Sequence, residues 1–224
     1  MRKTALDKGY IDFLEQFGDE LTIVNAARVS FNNWSEEWAN RDAKLLKYLW
    51  THKHMSPFRH VILRVRIHAP EFVMRQLYKH VVGIESTSNS STKDHSWNEQ
   101  SARYVCVEEY YIPEVWRAQS KNNKQGSEGK VDNQKEISSL YQSCLNQCIT
   151  TYEKLLEEGV AKEQARIILP FSQYTTVIWT ASLEAILNFI SLRLDEHSQY
   201  EIREYARLFQ EYIDENFPTI SELI

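Results

Sequence analysis

Three short segments concentrate the side chains that could do chemistry. "RQLYKH" holds Arg75, Gln76, Lys79 and His80, "WNEQSARY" holds Asn98, Glu99, Gln100, Ser101 and Arg103, and "RIILP" with "LRLDEHSQ" adds Arg166, Arg193 and His197. Arg103 and Arg193 adjoin apolar runs, and a guanidinium drawn partly out of water needs a partner, for which planar anions are the natural match. Ser101 and a run of backbone N–H groups just before Arg103 would suit a phosphate. On a helix, Gln76 and Lys79 share a face, with His80 one turn beyond Gln76. Each group taken singly has a plainer reading. Arg193 can snorkel to the surface, His80 can be a cation at a helix C-terminus, Arg166 can be an ordinary helical residue, and "WNEQSARY" can be a polar turn. Together they point to an anion-binding enzyme.

Other chemistries find less support. The three cysteines, Cys106, Cys144 and Cys148, form no CxxC pair, so neither a disulfide framework nor a zinc site is indicated, and no metal is expected. Cys144 and Cys148 share a helical face and read as packing residues, and no activating partner for a catalytic thiol is visible. A Gly-rich phosphate loop of the Rossmann or P-loop type is absent from the sequence.

The elements that must position these residues follow from periodicity. "GYIDFLEQFG" reads as a first strand, and "DELTIVNAARVS" as a helix capped by Asp19. "NRDAKLLKYLWTHKH" is an amphipathic helix, and Ser56-Pro57 opens a short helical turn. "HVILRVRIHAP" alternates as a strand until Pro70, which starts the helix "PEFVMRQLYKHVV". A polar loop at about residues 83–95 precedes an expected strand "RYVCVEEYYIP", and a second polar loop covers about 117–132. A long helix from Asn133 to Glu158 stops at Gly159. "KEQARIILP" is a short helix, "QYTTVIWTA" a strand, and "LEAILNFISLRL" and "HSQYEIREYARLFQEYIDENF" two closing helices. Irregular alternation of strands and helices predicts an α+β fold.

Length and charge bound the partners. The chain has 224 residues, enough for one domain with a sizeable core or at most two small ones, and a net charge of −5, which argues against a general nucleic-acid binder. No apolar run is long enough to span a bilayer, and "MRKTALDKGY" lacks the apolar core of a signal peptide, so a cytoplasmic protein is expected.

In order and character, "NAARVSF", "HKHMSPFRH", "APEFVMRQLYKH", "WNEQSARY", "EYYIP", "EQARIILP" and "LNFISLRLDEHSQYEIREYA" resemble the flavin-dependent thymidylate synthases, the ThyX family, over nearly the whole chain. The chain departs from the family's Arg-His-Arg hallmark with Lys79-His80-Val81, and it carries extra residues before Ser101. Ser182 and Glu184 stand where related sequences carry Asn and Arg. The resemblance implies a single α+β domain over 1–224, with a mixed or antiparallel sheet flanked by long helices. It implies reductive methylation of deoxyuridylate (dUMP) to thymidylate, with methylenetetrahydrofolate as carbon donor, FAD as cofactor and NADPH as reductant. For dUMP it implies Gln76, Leu77, Tyr78, Lys79, Glu99, Gln100, Ser101, Ala102, Arg103, Arg166 and Arg193, with Arg166 contributed by a neighbouring subunit of a homotetramer with shared active sites. Arg193 is the implied catalytic residue, stabilising negative charge on the uracil. For FAD the implied residues are His54, Ser56, Lys79, His80, Val81, Asn98, Glu99, Ser182, Asn188 and His197, and Lys93 in the extra loop is a candidate replacement for the cation lost at Val81. Two alternatives stand beside this reading: a flavin-dependent methylase of another pyrimidine nucleotide such as uridylate (UMP), and a flavin- or nucleotide-binding homologue without turnover.

Overall fold

The computed structural model describes residues 1–80, 96–106, 108–121 and 126–224. In chain order these form β1 (Arg2–Ala5), β2 (Gly9–Phe17), α1 (Glu20–Arg28), α2 (Asn40–Thr51), β3 (Ile62–Pro70), α3 (Glu71–Leu77) and β4 (Ser96–Glu99). There follow β5 (Arg117–Gln119), β6 (Ser127–Lys130), α4 (Gln134–Glu157), α5 (Lys162–Ala165), β7 (Tyr174–Ser182), α6 (Leu183–Arg193), α7 (Tyr200–Asn216) and α8 (Pro218–Ser221), with short 3₁₀ turns at Val29–Phe31, Ser56–His60 and Arg166–Ile168.

The architecture is α+β around a five-stranded sheet of order β1-β2-β3-β7-β4, antiparallel at every pairing. Alternation along β3 decides its faces. Leu63, Val65, Ile67 and Ala69 are buried against the helices, while Arg64 and Arg66 point to the other face. Trp179 on β7 and Phe209 on α7 meet edge to face, and Phe13 on β2 stacks on Tyr212. Helix α6 is buried on almost every side, as expected of a nearly continuous apolar helix, whereas α7 buries one stripe, Ile202, Tyr205, Ala206, Phe209 and Ile213. Asp19 caps α1 by accepting from the Thr22 amide at 2.8 Å. At the other end of the long helix α4, Gly159 adopts φ +82°, the left-handed stop that its sequence position predicts.

Several expectations are corrected. The segment expected as the strand "RYVCVEEYYIP" begins as a turn, with the Tyr104 and Val105 amides donating to the Ser101 carbonyl, and among its described residues only Tyr110 makes a bridge, to Gln173. The strand instead lies in the polar stretch just before it. β4 pairs Trp97 with Trp179 on the outer edge of β7, where polar residues on an edge strand can still face water. β1 has no apolar alternation. It is held by cross-strand charge, with Asp12 of β2 accepting from Arg2 and Arg66 on the open face of the sheet. The polar loop expected at 117–132 contains the β5–β6 hairpin. Helix α3 ends at Leu77, short of the expected Val82, so Lys79 and His80 lie beyond it and share no helical face with Gln76. Cys106 and Cys144 are exposed and Cys148 is only half-buried, so they are not core packing residues. Val81, the loop at 83–95 and Lys93 lie outside the described residues.

Candidate active site

Two adjoining clefts collect most of the nucleotide candidates. Pro70 ends β3 and starts α3, so Glu71 sits at the mouth of the sheet, its amide donating to the Gln173 carbonyl at 2.9 Å. β4 runs along the β7 edge to Glu99, and Gln100 then donates its amide to the Thr176 carbonyl at 2.8 Å, which anchors the turn at Ser101–Arg103. The chain returns after α5 through the Arg166–Ile168 turn. The result is a cleft of about 480 Å³ in which Ser101, Ala102, Arg103 and Arg166 face Glu71, Glu99, Gln173 and Thr175. A neighbouring cleft of about 280 Å³ shares Glu71 and Glu99 and adds Arg75, Tyr78, Lys79 and Trp97. Arg166 lines the first cleft of the same chain as Arg103.

The charge distribution sets this place apart. Among the described residues, Arg2, Arg28, Arg59, Arg64, Arg66, Arg117 and Arg207 each have a carboxylate in ion-pair range. Arg75, Arg103, Arg166, Arg193 and Arg203 have none. Three of those five line the two clefts. In the same clefts, Glu99 accepts from the Thr175 hydroxyl at 3.0 Å and Glu71 accepts from the Gln173 amide at 3.4 Å. Burial and the nearby Glu99 charge push the Glu71 carboxyl above its usual range, against the pull of Gln173, Arg75 and Arg166. The cleft therefore combines guanidinium donors suited to a phosphate with carboxylate acceptors for hydroxyls.

The remaining candidates lie apart from these clefts. Gln76 is engaged by Gln199 at 2.6 Å at the start of α7. Leu77 is 2 % exposed and belongs to the core, so its side chain has no access to a ligand. Arg193 donates its Nε–H to Nε2 of His80 at 2.9 Å and lines neither cleft. His54 is exposed beside Tyr48, Ser56 opens a 3₁₀ turn, and Asn98 is exposed on β4 opposite Ile178. Asn188 is half-buried on α6, and His197 is exposed beside Glu196. Ser182 is buried and caps α6 by accepting from the Ala185 amide at 3.2 Å. Glu184, also buried, is paired with Arg59. Sequence reasoning missed Glu71, Gln173 and Thr175, which no local pattern marks, because sheet register alone brings them beside Glu99. Among the described residues no group of three or more His, Cys, Asp or Glu is placed to hold a metal ion.

The fold is α+β, and its cleft sets Arg103 and Arg166, both without a carboxylate partner, beside Ser101. The family model "Thymidylate synthase complementing protein" matches residues 12–219. The flavin-dependent thymidylate synthase of Thermus thermophilus is 39% identical over 96% of this chain and 74% of its own length, and that of Kosmotoga olearia 41% over 92% and 85%. The chain belongs to the flavin-dependent thymidylate synthase family. Among solved structures, a UMP/dUMP methylase, PolB from Streptomyces cacaoi bound with 5-Br dUMP, superposes with a TM-score of 0.83 at 26% identity, covering 98% of this chain and 95% of its own.

Proposed function

We propose that this chain is a flavin-dependent thymidylate synthase that methylates dUMP to thymidylate, acting as one domain over its length. The observation that carries the reading is the convergence of Arg103 and Arg166, both without a carboxylate partner, beside Ser101 and opposite Glu71 and Glu99. Arg103, Arg166, the Ser101 hydroxyl and the backbone at Ala102 take the phosphate, and Glu99 accepts from the sugar. A phosphate is repelled by the carboxylates and drawn to the arginines, so the charges of the cleft bias how the nucleotide lies.

The donor set near β4, α3 and α6 fits a flavin in part. Lys79, Asn98, Asn188, Ser56, His54 and His197 offer a cation, amides, a hydroxyl and imidazoles suited to a ring edge and a phosphate. Ser182 fits poorly, because its side chain is buried in capping α6. FAD, when bound, supplies hydride, with NADPH as its reductant and methylenetetrahydrofolate as the one-carbon donor. The chain's own residues hold the nucleotide, and Arg193, which lines neither cleft within one chain, meets the uracil as it becomes anionic through the shared site of the tetramer. That charge is permanent, so Arg193 acts electrostatically and moves no proton.

Large apolar side chains stand exposed near the cleft, with Ile167 80% and Phe171 61% accessible, which supports burial against further copies in a homotetramer. No described helix is long and apolar enough to cross a membrane. We place the protein in the cytoplasm with its small-molecule substrates. The test is a steady-state assay with dUMP, methylenetetrahydrofolate, FAD and NADPH, run beside UMP. Thymidylate formation from dUMP supports the reading, turnover of UMP alone shifts it to the second pyrimidine substrate, and flavin binding without turnover leaves a binding protein. A monomer by light scattering would remove the shared-site tetramer.

A further inference from the structure

Arg193 lies outside both clefts, has no carboxylate partner and is held by a neutral side chain. Its Nε–H points at Nε2 of His80 at 2.9 Å, and among the described residues neither a carboxylate nor another hydrogen-bond acceptor engages the guanidinium. His80 is 6% exposed. Its amide donates to the Leu77 carbonyl at 2.9 Å, which fixes the backbone just past α3, and its ring stands edge-on to Phe189 of α6, centroids 5.0 Å apart at 84°. The imidazole is thus held on two sides.

We propose that His80 is a positioning residue for Arg193: its unprotonated Nε2 accepts the Nε–H and sets the plane of the guanidinium. The inference rests on the reading of Arg193 as the residue that stabilises charge on the uracil. Arginine only donates, so its partner must accept, and the accepting tautomer carries its proton on Nδ1. Burial, with the Arg193 charge adding to it, pulls the His80 ring down to about 4, so the neutral form prevails at neutral pH. The choice of partner matters for chemistry. A carboxylate would hold Arg193 equally well but would cancel much of its field. A neutral acceptor orients the guanidinium and leaves the full charge for the anionic ring. The sequence resemblance places His80 at the flavin, whereas the geometry commits its accepting nitrogen to Arg193.

The test uses the FAD-loaded enzyme. His80→Phe keeps the ring against Phe189 and removes the acceptor. It should lower kcat by about tenfold or more, with the dissociation constants of dUMP and FAD held within about twofold. His80→Gln returns a neutral acceptor and should recover most of kcat. His80→Glu returns a charged one and should recover less. Nitrogen NMR of histidine-labelled wild-type protein should show His80 Nε2 unprotonated at pH 7, with the Arg193 Nε–H protected from exchange. This arm reads the pairing whether or not dUMP is turned over, and also if His80→Phe fails to fold, so failure of the inference is distinguishable from failure of the functional reading. A protonated Nε2 overturns the proposal. So does a His80→Phe enzyme that loses FAD affinity but keeps kcat at saturating FAD, because His80 would then be a flavin ligand.

Discussion

Replacing Arg103 by Ala removes one of the two guanidinium groups that converge beside Ser101 without a carboxylate partner. A hydrogen bond to a charged group contributes about 1.5–3 kcal/mol. Both Arg103 and Arg166 are exposed in the chain, so solvent screening favours the lower half of that range. Each 1.4 kcal/mol corresponds to about tenfold in affinity, so Arg103→Ala should weaken dUMP binding by about 10–40-fold, and Arg166→Ala by a similar factor. A bare Coulomb estimate at ~4 Å and an effective dielectric of ~20 gives about 4 kcal/mol, an upper bound that the estimate respects. Calorimetry with dUMP and with deoxyuridine separates the phosphate from the rest of the ligand. Deoxyuridine affinity should stay within about twofold in both variants, and the gap between the two ligands should narrow as salt rises. Equal losses for dUMP and deoxyuridine, or no loss for dUMP, would refute the assignment of the two arginines to phosphate.

Asp42 has no exposed surface and accepts from both Arg28 and the Ala39 amide, so Asp42→Ala strands a buried guanidinium; denaturant unfolding should show a loss of about 3–5 kcal/mol. A methyl group on Gly9 would overlap the Tyr205 hydroxyl and come within 2.7 Å of the Ala5 carbonyl oxygen, so Gly9→Ala should cost about 1–3 kcal/mol, with partial recovery in Gly9→Ala/Tyr205→Phe. The hydrogen bond from Arg2, helped by Arg66, holds the Asp12 carboxyl down to about 2 from 3.8. A lowered folded-state value means that the stabilisation is present above about pH 4 and is lost as pH falls toward 2. The urea midpoint of wild type should therefore drop more across that window than that of Asp12→Asn. Replacing Cys106, Cys144 and Cys148 together by Ser should leave turnover in place, since none is buried in the core and the proposed chemistry uses no thiol; its complete loss in a folded protein would revive a thiol mechanism.

The amino-acid sequence by itself determined the elements whose signals are local. Alternation along Val61–Ala69 is visible without a partner strand, as are the apolar stripe of "YEIREYARLFQEYIDEN", the Asp19 cap and the stop at Gly159. The three polar segments were legible for the same reason, since residue type alone marks Ser101, Arg103, Arg166 and Arg193. Tertiary structure decided the rest. β1 and β4 carry no apolar period, because the first is held by cross-strand charge and the second lies on an edge where one side is open to water. The register of β4 on β7 brings Thr175 and Gln173 beside Glu99, although they are far apart in the chain. The early end of α3 sends Gln76 to Gln199 and His80 to Arg193, where helical spacing alone would have kept them together. Periodicity encodes which face a residue takes; which residues meet depends on long-range pairing, and that is settled only when the sheet and the helices close on one another.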